Sequence, residues 1–269
     1  WSSGFLPAVY QGTPFRSGAS PVFNLQTPAQ IPAQGRVNQL AFLREANALH
    51  SARFPENTEL TARIANFETA ARMQSAVPEA LDLSGESAAT RKLYGLDNPA
   101  TEEYGRRCLI ARRLVERGVR FVQLFLSGQP WDTHDKNAEG HQKLAHIVDQ
   151  PIAALLGDLE QRGLLDSTLV IAMGEFGRTP WINPARGRDH YPDAWSLMMT
   201  GCGLGRGIVT GSTDEDGIAV QDRPYNEQNL FATIFRALGI DPYAEYDLPG
   251  MPTFHRVENQ AAAIQELLV

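Results

Sequence analysis

The chain has 269 residues, 43% of them apolar and 20% charged, a balance typical of a globular protein. Its length suits one large α/β domain or two small ones. Its net charge of -7 disfavours a nucleic-acid partner, which usually requires a basic surface. No apolar run approaches the roughly 18 residues that a membrane span requires. The two cysteines, Cys108 and Cys202, are far apart; we expect two buried thiols, although one disulfide would also fit.

The first hundred residues lack a strand pattern. Residues 1–36 carry many glycines and prolines without a helical period. They predict an irregular segment that wraps a surface or is partly disordered. Residues 37–100 predict a helical insertion, in which Asn57 caps a helix whose apolar residues recur at steps of three and four.

Residues 101–269 predict the α/β core of the domain. Helical patterns alternate there with apolar strand patterns at 119–126, 168–173 and near 196–200, and Asn226 caps the last helix. Strands that alternate with helices favour a mostly parallel sheet with helices on both faces. We therefore expect an α/β fold in which polar residues at the strand ends form the functional site.

The first candidate motif is Trp131-Asp132-Thr133-His134, which follows the predicted strand 119–126. A carboxylate and an imidazole two residues apart in a loop can both turn toward one cation. The alternative is a helix N-cap formed by Asp132 or Thr133, with His134 merely exposed.

The second candidate motif runs from Gly174 to Pro180 and follows the predicted strand 168–173. Its Glu175 is a candidate metal ligand, and Arg178 is a candidate for bidentate binding of an oxyanion. The alternative is an ordinary ion pair between these two residues on a loop.

The third candidate motif, Gly187-Arg188-Asp189-His190, offers a guanidinium, a carboxylate and an imidazole in four residues. Asp189 and His190 are candidate ligands, while the alternative is a turn in which Asp189 binds the backbone. Of the six histidines, His134 and His190 have the strongest support as ligands.

These motifs carry a resemblance to a known family. The chain resembles the bacterial family named "domain of unknown function 1501", which is abundant in planctomycetes, and the resemblance extends over nearly the whole chain. The matching segments are Gly4–Pro7, Ala70–Gln74, Pro78–Ser84, Ala111–Phe121 and the three motifs above.

The resemblance implies a sulfatase-like fold of the alkaline phosphatase superfamily, which hydrolyses phosphate or sulfate esters at one or two divalent metals. It implies metal binding by Asp132, His134, Glu175, Asp189 and His190, and anion binding by Arg178 and Arg188. Phe176 stands where that superfamily has a ligand histidine. Zn, Ca, Mg and Mn all remain open because the candidate ligands are nitrogen and oxygen atoms.

The resemblance also implies what would lie outside these residues. In the family, an N-terminal half carries an export signal and supplies a metal-binding Asp and the nucleophile. We therefore expect the chain to be the C-terminal part of a longer periplasmic or secreted protein, with that N-terminal half as its partner. A resemblance of Cys108-Leu109-Ile110-Ala111-Arg112 to the sulfatase nucleophile motif is weak, because Ile110 replaces the required proline.

Two functions follow as hypotheses. The first is a metal-dependent hydrolase that acts on small-molecule or glycan esters of phosphate or sulfate. The second is a non-catalytic protein of the same fold that binds sulfated or phosphorylated glycans, which Phe176 in place of a ligand histidine would favour. The two differ in whether Asp132, His134, Glu175 and His190 converge on one point.

Overall fold

The computed structural model describes residues 11–16, 22, 28–247, 252–258 and 261–268. Most of the predicted wrapping segment, and the matching segment Gly4–Pro7, therefore lie outside the described residues. The chain divides into two units, Trp1–Ser87 and Ala88–Val269. The boundary falls inside the predicted helical insertion rather than at residue 100. No helix in the described part is both long and apolar enough to span a membrane.

The first unit contains a pair of helices, α1 (Ala33–Ser51) and α2 (Thr58–Leu81). The predicted N-cap is confirmed, since the side chain of Asn57 accepts a hydrogen bond of 2.9 Å from the N–H of Leu60. Helix α2 continues through Pro78 to Leu81.

The second unit contains the remaining helices and all strands of the described residues. The helices are α3 (Ala88–Leu93), α4 (Glu102–Glu116), α5 (Asn137–Gln161) and α6 (Glu227–Ala237). The strands are β1 (Val170–Met173), β2 (Gly177–Arg178), β3 (His190–Tyr191), β4 (Leu197–Thr200), β5 (Ser212–Thr213), β6 (Val220–Asp222), β7 (Glu245–Tyr246) and β8 (Phe254–His255).

Helices α4 and α5 pack together and form much of the interior of this unit. Cys108 and Leu109 of α4 and Leu155 and Leu159 of α5 are buried. Each helix is followed by a glycine with positive φ, Gly118 after α4 and Gly163 after α5. Pro151 is accommodated inside α5, which runs on to Gln161.

A buried polar network ties the same helices together. The Tyr94 hydroxyl donates to Asp158 at 2.9 Å, and Arg112 forms ion pairs with Asp158 at 3.1 Å and Glu116 at 2.6 Å. Arg112 is only 3% exposed. A buried charge of this kind is tolerated because it is paired.

Near the end of the chain, α6 packs against the C-terminal segment. Its N-cap, Asn226, forms a capping box with Asn229, as the sequence predicts for the cap. Ala232 of α6 clusters with Val257 and Ala263, and the hydroxyl of Thr233 accepts a hydrogen bond from a backbone N–H of this segment.

The strands of the described residues pair as four antiparallel ribbons, β1 with β4, β2 with β3, β5 with β6 and β7 with β8. The predicted strands near 168–173 and 196–200 appear as β1 and β4. Residues 119–126, in contrast, belong to no strand of the described part. The mostly parallel sheet with helices on both faces stays a prediction.

Candidate metal centre

The loop before α5 and the loop between β2 and β3 are joined by backbone hydrogen bonds. The N–H of Asn137 donates to the carbonyl of Arg186 at 2.9 Å, and the N–H of Arg188 donates to the carbonyl of Thr133 at 3.0 Å. These bonds bring together two candidate motifs that are more than 50 residues apart in sequence. Both loops contain a left-handed non-glycine residue, Lys136 with φ 43° and Arg186 with φ 62°.

Gly187 permits this close approach. A Cβ atom at this position would lie 2.0 Å from the carbonyl carbon and oxygen of His134, far inside van der Waals contact. Any side chain here would therefore force the two loops apart. The glycine of the Gly-Arg-Asp-His motif thus has a steric role that is independent of its turn geometry.

The β2–β3 ribbon places an imidazole beside a guanidinium. Arg178 is opposite His190 in the antiparallel register, so both side chains project from the same face. Gly177 is tightly enclosed, since a Cβ there would lie 1.7 Å from the carbonyl oxygen of Ala194. The ribbon therefore presents His190 and Arg178 together toward the loop before α5.

Three ligand atoms converge at this point: Oδ1 of Asp132, Nε2 of His134 and Nε2 of His190. Oδ1 of Asp132 lies 3.0 Å from Nε2 of His134 and 2.9 Å from Nε2 of His190, and the two nitrogens are 3.2 Å apart. Ligands at 2.0–2.1 Å from a tetrahedral Zn²⁺ lie about 3.3 Å from one another. The three atoms therefore have spacings close to those of a metal triad.

A second carboxylate lies behind the first histidine. Oδ1 of Asp189 lies 2.7 Å from Nδ1 of His134 and also accepts a hydrogen bond of 3.1 Å from Nδ2 of Asn183. The same ring has the Asp132 carboxylate at 3.0 Å from Nε2, so both nitrogens face an acceptor. The shorter contact to Asp189 favours the N–H on Nδ1, and this tautomer leaves the electron pair of Nε2 for a metal, as in carboxylate–histidine–metal arrangements. The two aspartates thus occupy different positions, one in the triad and one behind it.

The triad carries a strong local charge. Nη1 of Arg178 is buried and forms an ion pair of 2.6 Å with Oδ1 of Asp132. The hydrogen bond from His190, together with Arg178, lowers the pKa of Asp132 to about 2. The hydrogen bond from His134 similarly lowers the pKa of Asp189. Both aspartates are therefore ionised at neutral pH.

The triad is open to solvent on one side. The side chains of His134 and His190 are 47% and 48% exposed, so the triad is accessible from solvent.

The sequence profile of the family described as "Protein of unknown function (DUF1501)" matches residues 1–268.

The chain belongs to the DUF1501 family. No curated protein matches this DUF1501 chain, and no solved structure matches it either. Membership therefore supports the resemblance found in the motifs without assigning an activity.

The DUF1501 structure separates the predicted site residues into groups. Asp132, His134 and His190 form the triad, and Asp189 lies behind it. Glu175 is exposed and is not part of the triad. Arg178 touches the triad, and Arg188 donates a hydrogen bond to the carbonyl of Thr179.

Phe176 packs against the triad of this DUF1501 protein. Its ring centroid lies 4.6 Å from that of His190, and the guanidinium carbon of Arg178 lies 5.8 Å from the ring. An aromatic face at this distance attracts a cation and limits the rotation of its neighbours. Phe176 thus helps to hold both His190 and Arg178 in place.

Asn183 also belongs to the loops around the triad. It was not a candidate in the sequence, although its position in Asn183-Pro184 is a recognised turn signal.

Cys108 is fully buried in α4, and burial raises the pKa of its thiol to about 12. A buried neutral thiol is a poor nucleophile, so Cys108 has a packing role. Cys108 and Cys202 are both free thiols.

Proposed function

We propose that this protein is a metal-dependent hydrolase of phosphate or sulfate esters, in which Asp132, His134 and His190 hold one divalent cation. The observation that carries the proposal is the convergence of their three ligand atoms at 2.9–3.2 Å from one another. Two imidazoles and one carboxylate form a common protein ligand set for a catalytic cation with an open position.

The other residues around the triad suit an anionic substrate. A cation bound at the triad would supply Lewis-acid polarisation of an ester oxygen. The guanidinium of Arg178, which is paired with Asp132 and 20% exposed, would then donate to an oxygen of the phosphate or sulfate group. Phe176 keeps the guanidinium beside the imidazole, and Asp189 keeps His134 oriented. Glu175 and Arg188 have no role in this proposal.

The proposed chemistry fits the sulfatase-like fold that the family resemblance implies. We accordingly propose a parallel-sheet fold of the alkaline phosphatase superfamily, periplasmic or secreted, with the nucleophile supplied by an N-terminal half of the same polypeptide. The residues of this chain would bind the metal and the anionic group. The substrate class would be small-molecule or glycan esters.

The alternative, a non-catalytic protein that binds sulfated or phosphorylated glycans, is favoured by two observations. Glu175 does not join the triad, and the ring of Phe176 lies against His190. Under this alternative, Arg178 and the triad would bind the anion without turnover. Metal content and catalytic assays separate the two functions.

The test begins with the metal content of the purified full-length polypeptide. We expect about one equivalent of Zn, Mn, Mg or Ca by mass spectrometry, and Fe should be included because two histidines and one carboxylate also bind Fe(II). His134→Ala and His190→Ala should each lose the metal. The matched control is His146→Ala, which removes an exposed histidine of α5 outside the triad.

The same three variants should then be assayed with p-nitrophenyl phosphate and p-nitrophenyl sulfate. We expect hydrolysis by the wild type and by His146→Ala, and its loss in the two triad variants. Metal binding without turnover of any ester would favour the binding protein. A wild-type protein without metal, or full activity in His134→Ala, would refute the hydrolase.

A further inference from the structure

Asn183 uses its whole side-chain amide in the loops around the triad. Its Oδ1 accepts hydrogen bonds from the N–H of Ala185 at 3.0 Å and of Gly187 at 2.8 Å. Its Nδ2 donates to the carbonyl of His134 at 3.0 Å and to Oδ1 of Asp189 at 3.1 Å. An amide group can make four hydrogen bonds of this kind, and Asn183 makes all four.

These partners fix the orientation of the amide. Two of them are backbone N–H groups, which can only donate. The other two are the carbonyl oxygen of His134 and the carboxylate oxygen of ionised Asp189, which can only accept. A rotated amide would place its NH₂ group against N–H groups and its oxygen against oxygens. The amide therefore has one favourable orientation, and that orientation directs an N–H toward Asp189.

Asn183 consequently connects three parts of the site that are separate in sequence. It holds the turn that contains Gly187, the backbone of His134, and the carboxylate behind the ring of His134. The ring and its carboxylate are thus both bonded to one side chain. A neutral imidazole carries one N–H, and the ring of His134 has a carboxylate at each nitrogen, Asp189 at 2.7 Å from Nδ1 and Asp132 at 3.0 Å from Nε2. The shorter contact, to the carboxylate that Asn183 holds, favours the N–H on Nδ1.

We propose that Asn183 is a positioning residue, which acts through Asp189 to keep the proton of His134 on Nδ1 and its Nε2 free as the ligand atom. The inference rests on the proposed metal-binding role of His134. Asn183 touches neither the proposed cation nor the substrate, so its effect should appear in the tautomer of His134.

The test variant is Asn183→Asp. This change keeps the shape of the side chain and an oxygen for the two backbone N–H groups. It removes both N–H donations and places a second carboxylate against Asp189. The matched control is Asn229→Asp, because Asn229 also accepts from a backbone N–H and donates to a carbonyl, at Ala262.

The first measurement is the affinity for Zn²⁺ by calorimetric titration of the purified metal-free protein. We expect Asn183→Asp to bind Zn²⁺ about 10- to 100-fold more weakly, as when the outer partner of a metal-bound histidine is lost. Asn229→Asp should bind Zn²⁺ like the wild type. Equal Zn²⁺ affinity in the wild type and Asn183→Asp would overturn the inference.

The second measurement is the tautomer of His134 in the metal-free protein, from ¹⁵N chemical shifts of the ring at alkaline pH. We expect the Nδ1–H form in the wild type and in Asn229→Asp, and a shift toward Nε2–H in Asn183→Asp. An unchanged tautomer in Asn183→Asp would overturn the inference. A shifted tautomer in a protein that binds no metal would support the positioning role and refute the metal site.

Asp189→Asn provides the same test if Asn183→Asp does not fold. It removes the negative acceptor from Nδ1 of His134 without changing the turn that Asn183 holds. The inference predicts a weaker Zn²⁺ affinity and a redistributed tautomer in this variant as well. A wild-type tautomer in Asp189→Asn would contradict it.

Discussion

Oδ1 of Asp132 is shared by three groups that can each carry positive charge. His134, His190 and Arg178 all lie within 3.0 Å of this one oxygen. Their combined attraction explains why the pKa of Asp132 falls to about 2. It also means that a divalent cation would replace interactions that already exist, so that its binding must displace protons or move Arg178.

The lowered pKa of Asp132 predicts a specific dependence of stability on pH. Because the carboxyl has a lower pKa in the folded protein than its ordinary 3.8, its ionised form stabilises the fold above about pH 4. That contribution is lost as the pH falls toward about 2. Urea unfolding of the metal-free protein between these pH values should show that the free energy of unfolding decreases less in Asp132→Asn than in the wild type.

The prediction would be contradicted if the free energy of unfolding decreased equally with pH in Asp132→Asn and in the wild type. Asp193→Asn is a suitable control, because it removes an exposed carboxylate that is not part of the triad. We expect its slope to equal that of the wild type.

Gly187 provides a second test at the scale of one residue. Gly187→Ala should weaken Zn²⁺ binding by about tenfold or more, since the new Cβ would displace the backbone of His134 from its position. The control is Gly157→Ala in α5, where a Cβ meets no atom within 4 Å. It should keep the Zn²⁺ affinity and gain up to about 1 kcal/mol in the free energy of unfolding. Calorimetry and urea unfolding measure the two effects.

The triad could be predicted from the sequence only in part. Asp132, His134 and His190 were candidates because their motifs follow apolar segments that predict strands, and α/β folds place ligands at strand ends. Glu175 was equally noticeable, but the short β2–β3 ribbon places Arg178, and not Glu175, opposite His190. Asn183 was missed because its role depends on four partners that are close only in the folded chain.

At the scale of elements, the contact between α4 and α5 depends on a buried ionic network as well as on apolar packing. Asp158 accepts from Tyr94, pairs with Arg112 and accepts from Arg162. Burial and the neighbouring Asp158 both raise the pKa of the Tyr94 hydroxyl, which therefore stays a neutral donor. Breaking such a network at its centre leaves a buried guanidinium with fewer partners.

Substitutions in this network should differ in their cost. Asp158→Ala should lower the free energy of unfolding by about 3 kcal/mol, because the buried guanidinium of Arg112 loses one of its carboxylate partners. Tyr94→Phe should cost only about 1 kcal/mol, since it removes one hydrogen bond and leaves the ion pairs in place. Urea unfolding of both variants checks the order, and equal costs would show that Asp158 is not the centre of the network.

The helices were more predictable than the strands. Helix caps such as Asn57 and Asn226 are local signals, and both predicted caps are present in the structure. Strand pairing depends on residues that are distant in sequence, so an apolar run does not reveal its partner. The segment 119–126 illustrates this: its apolar pattern predicts a strand, yet it pairs with none within the described residues.

At the scale of the whole molecule, every residue of the candidate centre belongs to the second unit, Ala88–Val269. The positioning residue Asn183, the ribbon β2–β3 and the helices α4 and α5 belong to it as well. The metal site should therefore not require the helix pair α1–α2.

This separation predicts that a fragment of residues 88–269 folds and binds Zn²⁺ with the affinity of the whole chain. Circular dichroism and calorimetric titration of the fragment are the measurements. The same fragment carrying His190→Ala is the control and should not bind Zn²⁺. A folded fragment that has lost Zn²⁺ binding would show that the first unit contributes to the centre.

The shared oxygen of Asp132 joins two segments of the chain. Asp132 and His134 lie in the loop before α5, whereas Arg178 and His190 lie in the β2–β3 ribbon, and their side chains meet at this one atom. Under the proposed function, a cation bound there would crosslink the same two segments, so a metal chelator should lower the thermal stability of the second unit.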